Sequence, residues 1–317
     1  MSGYMIRGET LTAIADAIRA KDGTTDAIKA SDMAARIEGI QSGGGDGTLK
    51  ELIEGTAVNP VFPSDVTKIG DYKFYTNRTI VNPVLPNGLK HIGVSAFYNC
   101  TNLVLTELPS SVKTISQYAF YGCTQLALKE LPNATFGSYA FHGCRMIAPT
   151  SLPSGLQVIN EYTFYNCISL ALTSLPDTVT TMGRYSFYGC IALALTSLPS
   201  KLTEIQDRCF YGCKALPLSA LPEGLTSINS SAFEGCTNLT EITFSSTVET
   251  IYTNAFKGCT GLAKITFAGK PKTIYSTAFT NCTNLLTINV PWAEGEVGDA
   301  PWGATNATIN YNYTGEA

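Results

Sequence analysis

Ten cysteines and two histidines are the residues of this 317-residue chain from which a nucleophile, a metal site or a disulfide would have to be built. Nine of the cysteines, Cys100, Cys123, Cys144, Cys167, Cys190, Cys213, Cys236, Cys259 and Cys282, recur every 23 residues except for a single 21-residue step. A disulfide framework pairs cysteines at varied separations. One cysteine per period instead sets equivalent side chains side by side, all pointing the same way. This suits a column of reduced, buried thiols acting as small apolar groups better than it suits bridging geometry. Cys209, the tenth, stands at a small-residue position held elsewhere by Ala96, Ala119, Ala140 or Ser186, and is expected in the interior too. With only His91 and His142 available, no Cys/His spacing for zinc is formed. Neither a metal nor another cofactor is expected.

Catalysis fares no better. A hydrolase needs a nucleophile beside a base, or two carboxylates on facing walls, and the ordered positions of the pattern are apolar. His142 has the chemistry of a base, but its equivalents one period away are Tyr121 and Tyr165, so it reads as a variant of a surface position. The run Ser42–Gly47 lacks both the Lys-Ser/Thr ending and the preceding strand of a phosphate loop. No catalytic residue is assigned. The formal charge is -4, and the 21 Lys and Arg are dispersed, so no basic stripe for nucleic acid forms.

What the pattern does offer is a row of aromatic rings. Tyr98, Tyr121, His142, Tyr165, Tyr188 and Tyr211, preceded by Tyr75, each follow a phenylalanine of the repeat. If equivalent positions stack at about 4.8 Å, the rings form a stripe on the order of 30 Å long. Tyrosine joins a large apolar face to a hydroxyl and has few rotors, which suits recognition of protein or sugar. These six residues are the candidate ligand-binding stripe. The other reading is that the rings merely shield the turn after the phenylalanine; the change to Glu234, Lys257 and Thr280 favours recognition, since shielding would be needed in every coil. A second, polar column, Thr106, Lys129, Thr150, Thr173, Thr196 and Ser219, is either a binding face or a strand face kept short for packing.

The elements that must carry these residues follow from the same beat. Phe74, Phe97, Phe120, Phe141, Phe164, Phe187, Phe210, Phe233, Phe256 and Phe279 keep the period, and Trp302 takes the next position. Each Cys lies three residues after the Phe, a Leu or Ile three further on, and an Ile, Met or Phe five before it. A Leu-Pro pair opens units as far as Leu221-Pro222; Phe244, Phe267 and Val290 replace its Leu later, so the array has two zones meeting near Leu221. A fixed period of this size means stacked solenoid units, none able to bury its apolar face alone.

The unit L-P-x-x-[V/L]-x-x-I-x-x-x-x-F-x-x-C-x-x-L resembles the 23-residue leucine-rich repeats of bacterial BspA-like surface proteins over residues 60 to 311. The resemblance implies a right-handed coil of short parallel strands and turns, mostly β, used in that family for adhesion to host or partner macromolecules. The expected fold class is therefore a repeat solenoid of leucine-rich repeat type, preceded by a small α-helical hairpin.

That hairpin is read from residues 1–41, where Leu11, Ile14, Ala15 and Ile18 fall at helical spacing, and Ser31-Asp32 caps a second helix through Met33, Ile37 and Ile40. The segment holds no apolar run of signal-peptide length. It resembles a short N-terminal module of bacteriophage tail and structural proteins, which implies attachment to a larger assembly; a plain helical cap or an oligomerisation hairpin is the other reading. The domains expected are 1–41 as attachment module, 42–47 as Gly-rich linker, 48–61 as N-terminal cap, 62–290 as repeats and 291–317 as C-terminal cap. Within the cap Leu49, Leu52 and Ile53 fall at helical spacing, Phe62 is expected to open the first strand position, and residues 307–313 alternate like an edge strand.

Together these readings describe a noncatalytic binding protein that recognises a host surface protein or glycan. It is expected on a phage virion or tail, made in the bacterial cytoplasm, without membrane insertion, and open to homo-oligomerisation. The alternatives are a BspA-like adhesin at the bacterial cell surface or an intracellular scaffold.

Overall fold

The computed structural model describes residues 58–315. The expected helical hairpin, the linker and residues 48–57 of the N-terminal cap lie outside them. Within them the chain is a parallel-strand β-solenoid of about 11 turns, and no helix is present among the described residues.

The strands are very short. β1 (Lys68–Ile69), β2 (His91–Ile92), β3 (Thr114–Ile115) and β4 (Thr135–Phe136) form one parallel sheet, and β5 (Val158–Ile159) pairs β6 (Thr181–Met182). A third sheet runs β7 (Glu204–Ile205), β8 (Ser227–Ile228), β10 (Thr250–Ile251), β12 (Thr273–Ile274). From β9 (Glu241–Phe244) a second strand appears in each coil, and it joins β11 (Lys264–Phe267), β13 (Thr287–Asn289) and β14 (Thr308–Asn310) in a fourth sheet. Pairing is in register one period apart, as in Ile69 with Ile92 and Phe244 with Phe267. The two zones thus differ as the sequence implies: the earlier coils cross this side through Leu-Pro segments, and Pro, lacking an N–H, cannot serve a ladder. An isolated bridge between Ala220 and Thr243 marks the changeover. At the start, Val61 bridges Val84, while Phe62 is buried beside Phe74; the first strand position belongs to Val61 and not to Phe62.

The single 21-residue step lies between β3 and β4, which pair in register across it, and the first sheet ends one coil later, after β4. Residues 132–136 are two shorter than their equivalents, and Phe136 stands in the Ile slot, its ring edge-on to Phe141 and Phe164 at 5.5 and 6.2 Å. Across the break the Asn160 side-chain amide donates to the Phe136 carbonyl at 2.6 Å, supplying a bond the ladder no longer makes.

Most of each coil is turn, closed by two kinds of backbone bond. Phe97 N and Asn99 N donate to the next coil at Ala119 O and Tyr121 O, at 2.8 and 2.6 Å, while Tyr98 N and Cys100 N bond back within their own coil to Ser95 O and Phe97 O. The alternation requires left-handed backbone two residues before and two after the phenylalanine: Ser95 has φ 51°, Asn99 φ 52° and Gly122 φ 69°. Such φ values disfavour side chains with a Cβ, and at Gly122 a Cβ would also run into the Asn99 amide oxygen.

Inside, the repeat phenylalanines stack face to face at 5.1–5.7 Å along the axis. All ten cysteines are buried and free. Each repeat thiol also donates to a phenylalanine carbonyl 24 or 26 residues earlier, for example Cys100 Sγ to Phe74 O at 2.9 Å. A thiol is here more than a small hydrophobe: it fills the slot and satisfies a carbonyl's second lone pair. Burial pushes the thiol of Cys209 up to about 12 and those of Cys144 and Cys190 higher still. At the carboxyl end Trp302 is buried in the phenylalanine position, its Nε1 donating to Gly298 O at 2.7 Å. β14 closes the last sheet as an edge strand with alternating exposure.

Candidate binding face

The residue after each phenylalanine lies between the two left-handed positions, where the turn carries its side chain out of the core. Tyr98, Tyr121, His142, Tyr165, Tyr188 and Tyr211 all stand there, half-buried, in one unbroken column that begins at the exposed Tyr75. Successive ring centroids are 4.3–4.8 Å apart and nearly parallel. The coil spacing therefore equals a ring-stacking distance, and each interior ring has a neighbour on both faces. What the column shows to solvent is a row of ring edges and hydroxyls, not the broad aromatic faces that the spacing alone brings to mind.

A second column, absent from the sequence reading, stands beside the first. Tyr118, Tyr139, Tyr162 and Tyr185 lie two residues before their phenylalanines, each at left-handed φ, and stack at 4.4–4.7 Å. Cross-column neighbours meet at 5.8–6.0 Å, as Tyr118 with Tyr121 and Tyr162 with Tyr165. The period was the available signal, since these tyrosines also recur one repeat apart; Tyr72 shares their position while Ser95 interrupts the series.

Burial, then neighbouring phenols, hold the hydroxyls of Tyr98 and Tyr188 above their ordinary range and raise Tyr162 to about 12, so these groups stay protonated donors near neutral pH. His142 is pushed the other way, down to about 4, because desolvation disfavours the imidazolium between Tyr121 and Tyr165. It is thus a neutral member of the stack near pH 7. The polar column Thr106, Lys129, Thr150, Thr173, Thr196 and Ser219 is exposed throughout. Among the described residues, no group of three or more His, Cys, Asp or Glu is placed to hold a metal, and no helix is long and apolar enough to cross a membrane.

A solenoid with leucine-rich coils, a phenylalanine spine and a thiol column is a leucine-rich repeat protein of the short-strand kind. The BspA type leucine rich repeat region profile matches residues 56–171, 134–233 and 203–300, most of the chain. The chain belongs to that family, whose members are typically surface or adhesion proteins. Similar solved structures include a leucine-rich repeat protein from Bacteroides ovatus, 21% identical, covering 84% of this chain and 93% of that one with TM-score 0.36. A leucine rich cell surface protein from Faecalibacterium prausnitzii is 22% identical, covering 75% and 88% with TM-score 0.40. A leucine-rich repeat protein from Eubacterium ventriosum is 24% identical, covering 80% and 72% with TM-score 0.47. A search of curated proteins gave no match.

Proposed function

We propose that this solenoid is a noncatalytic binding protein that recognises a host surface protein or glycan through its aromatic face. One observation carries the reading. Beyond Tyr211 the turn closes as before without any ring: Gly235 keeps φ 75° and donates to Lys257 O at 2.8 Å, as Gly189 with φ 68° donates to Tyr211 O at 2.7 Å. The turn therefore does not need an aromatic shield, and the rings that cover the earlier coils are free to serve recognition. Family membership favours a setting at the bacterial cell surface. Attachment to a phage tail or virion through residues 1–41 is the other setting; its support is the sequence of that segment.

The test is binding to host cells or purified host glycan. Tyr165→Ala with Tyr188→Ala, at the centre of the column where interface energy concentrates, weakens binding more than tenfold; Thr173→Ala with Thr196→Ala leaves it nearly unchanged. Wild-type binding by the tyrosine double variant, with loss in the threonine pair, would move the recognition face to the polar column.

A further inference from the structure

The two aromatic columns end close together, and the notch where they stop has a chemistry the rest of the face lacks. In the column before the phenylalanines Tyr185 is the last ring, and Arg208 takes the next place: its guanidinium carbon lies 5.4 Å from the Tyr185 centroid, and its Nη1 donates to the Tyr185 hydroxyl at 2.6 Å. Ser231 and Asn254 follow at the same position and are too small to continue the column. In the other column Tyr211 is the last ring; Tyr188 covers one of its faces at 4.5 Å, and Glu234 replaces a ring on the other side. The space left is an open cavity of about 420 Å³, within the lower part of the range of small-ligand sites.

Charge distinguishes the rim residues. Lys257 and Glu234 satisfy each other at 3.1 Å. Arg208 has only a phenol and a ring as partners, with no carboxylate in ion-pair range among the described residues. A guanidinium offers five donors in a planar fork matched to a carboxylate, and one of them is used. Next to this fork stand the end ring of a column, an amide with both donor and acceptor, and an ion pair able to bond hydroxyls. A free guanidinium fork beside alternating donors and acceptors and the half-buried edge of Tyr211 matches an acidic pyranose, with its carboxylate and ring of hydroxyls, better than an extended peptide.

We infer that this notch binds a carboxylate-bearing sugar residue, with Arg208 on the carboxylate, and the edge and hydroxyl of Tyr211, Asn254 and the Glu234–Lys257 pair on the hydroxyls. The inference rests on the binding role proposed above and names its ligand class. The noncovalent contact with Arg208 makes the affinity fall as salt rises.

Calorimetry on the full chain with sialyllactose, a glucuronate-terminated oligosaccharide and neutral lactose tests it. The two acidic sugars bind at least tenfold tighter than lactose. Arg208→Met removes that preference, and Tyr211→Ala abolishes measurable binding of all three. Asn254→Tyr blocks the notch while leaving Arg208 and Tyr211 intact; Tyr185 occupies the equivalent position at φ 56°, close to the φ 59° of Asn254, so the fold accommodates this change. Equal binding of lactose, unchanged acidic-sugar binding in Arg208→Met or Asn254→Tyr, or binding of an acidic peptide in place of the sugars would overturn the inference. If no sugar binds but host cells still bind through Tyr165 and Tyr188, this inference fails and the recognition role stands. If host-cell binding also survives the tyrosine double variant, the role itself fails.

Discussion

His142 is the one residue of the aromatic column whose charge changes in an accessible pH range, and His142→Tyr isolates its effect by supplying the ring found at the equivalent neighbours. Its imidazole stacks at 4.3 Å on Tyr121 and 4.4 Å on Tyr165, and desolvation lowers its pKa from 6.5 to about 4. The unfolded chain thus binds the proton between pH 6.5 and 4 while the folded chain does not, so stability rises with pH there and is lost as pH falls. At about 1.36 kcal/mol per unit the shift corresponds to roughly 3 kcal/mol before screening. Two corrections reduce it. The ring is only half-buried, and an imidazolium between two tyrosine faces recovers about 0.5–1 kcal/mol from each. The net is about 1–2 kcal/mol, or roughly 2–6 °C in melting temperature for a chain of this size. Thermal melts from pH 7.5 to 3.5 on wild type and His142→Tyr should therefore diverge below pH 6.5, the wild type falling further by that amount. Curves that stay parallel would show that the imidazole titrates as if in water, and the stacked arrangement around it would be wrong.

Three further outcomes follow from the fold. Phe187 is fully buried between Phe164 and Phe210 at 5.6 and 5.7 Å, so Phe187→Ala should cost about 3–5 kcal/mol in denaturant unfolding, whereas Tyr188→Ala, losing mainly two stacking contacts, should cost about 1–2 kcal/mol; the reverse order would invert the inside and outside assignments. Thiol titration without denaturant should label few cysteines, with Cys282 first: it sits at the end of the column and, at 4% exposure against 0% for the others, is the least enclosed of them. Early labelling of Cys144 or Cys190 would refute the buried column. A chain beginning at Thr48 should melt like the full chain, because residues 1–41 share no repeat position; aggregation of the shortened chain would show that the segment caps the solenoid.

The period alone determined which residues are equivalent, and equivalence in a stack fixes burial: the ten phenylalanines, the thiols and the Ile slots are interior because, away from the ends of the array, each is repeated by an apolar group in the coil above and below. It also marked the change near Leu221, since exchanging Leu-Pro for Ile-x-Phe restores the N–H groups that a second sheet needs. What the period could not tell is how side chains meet across coils. That the tyrosines present edges rather than faces depends on a coil spacing equal to the stacking distance of rings. The second column, and with it the notch at Arg208, depends on left-handed backbone two residues before the phenylalanine, which turns Tyr185 beside Tyr188 and no propensity of tyrosine foretells. Nor does the 21-residue step announce that Asn160 will replace a lost ladder bond. Sequence spacing is a one-dimensional register and assigns neighbours along the stack; the contacts around each coil are set by dihedral angles, and only the folded backbone decides those.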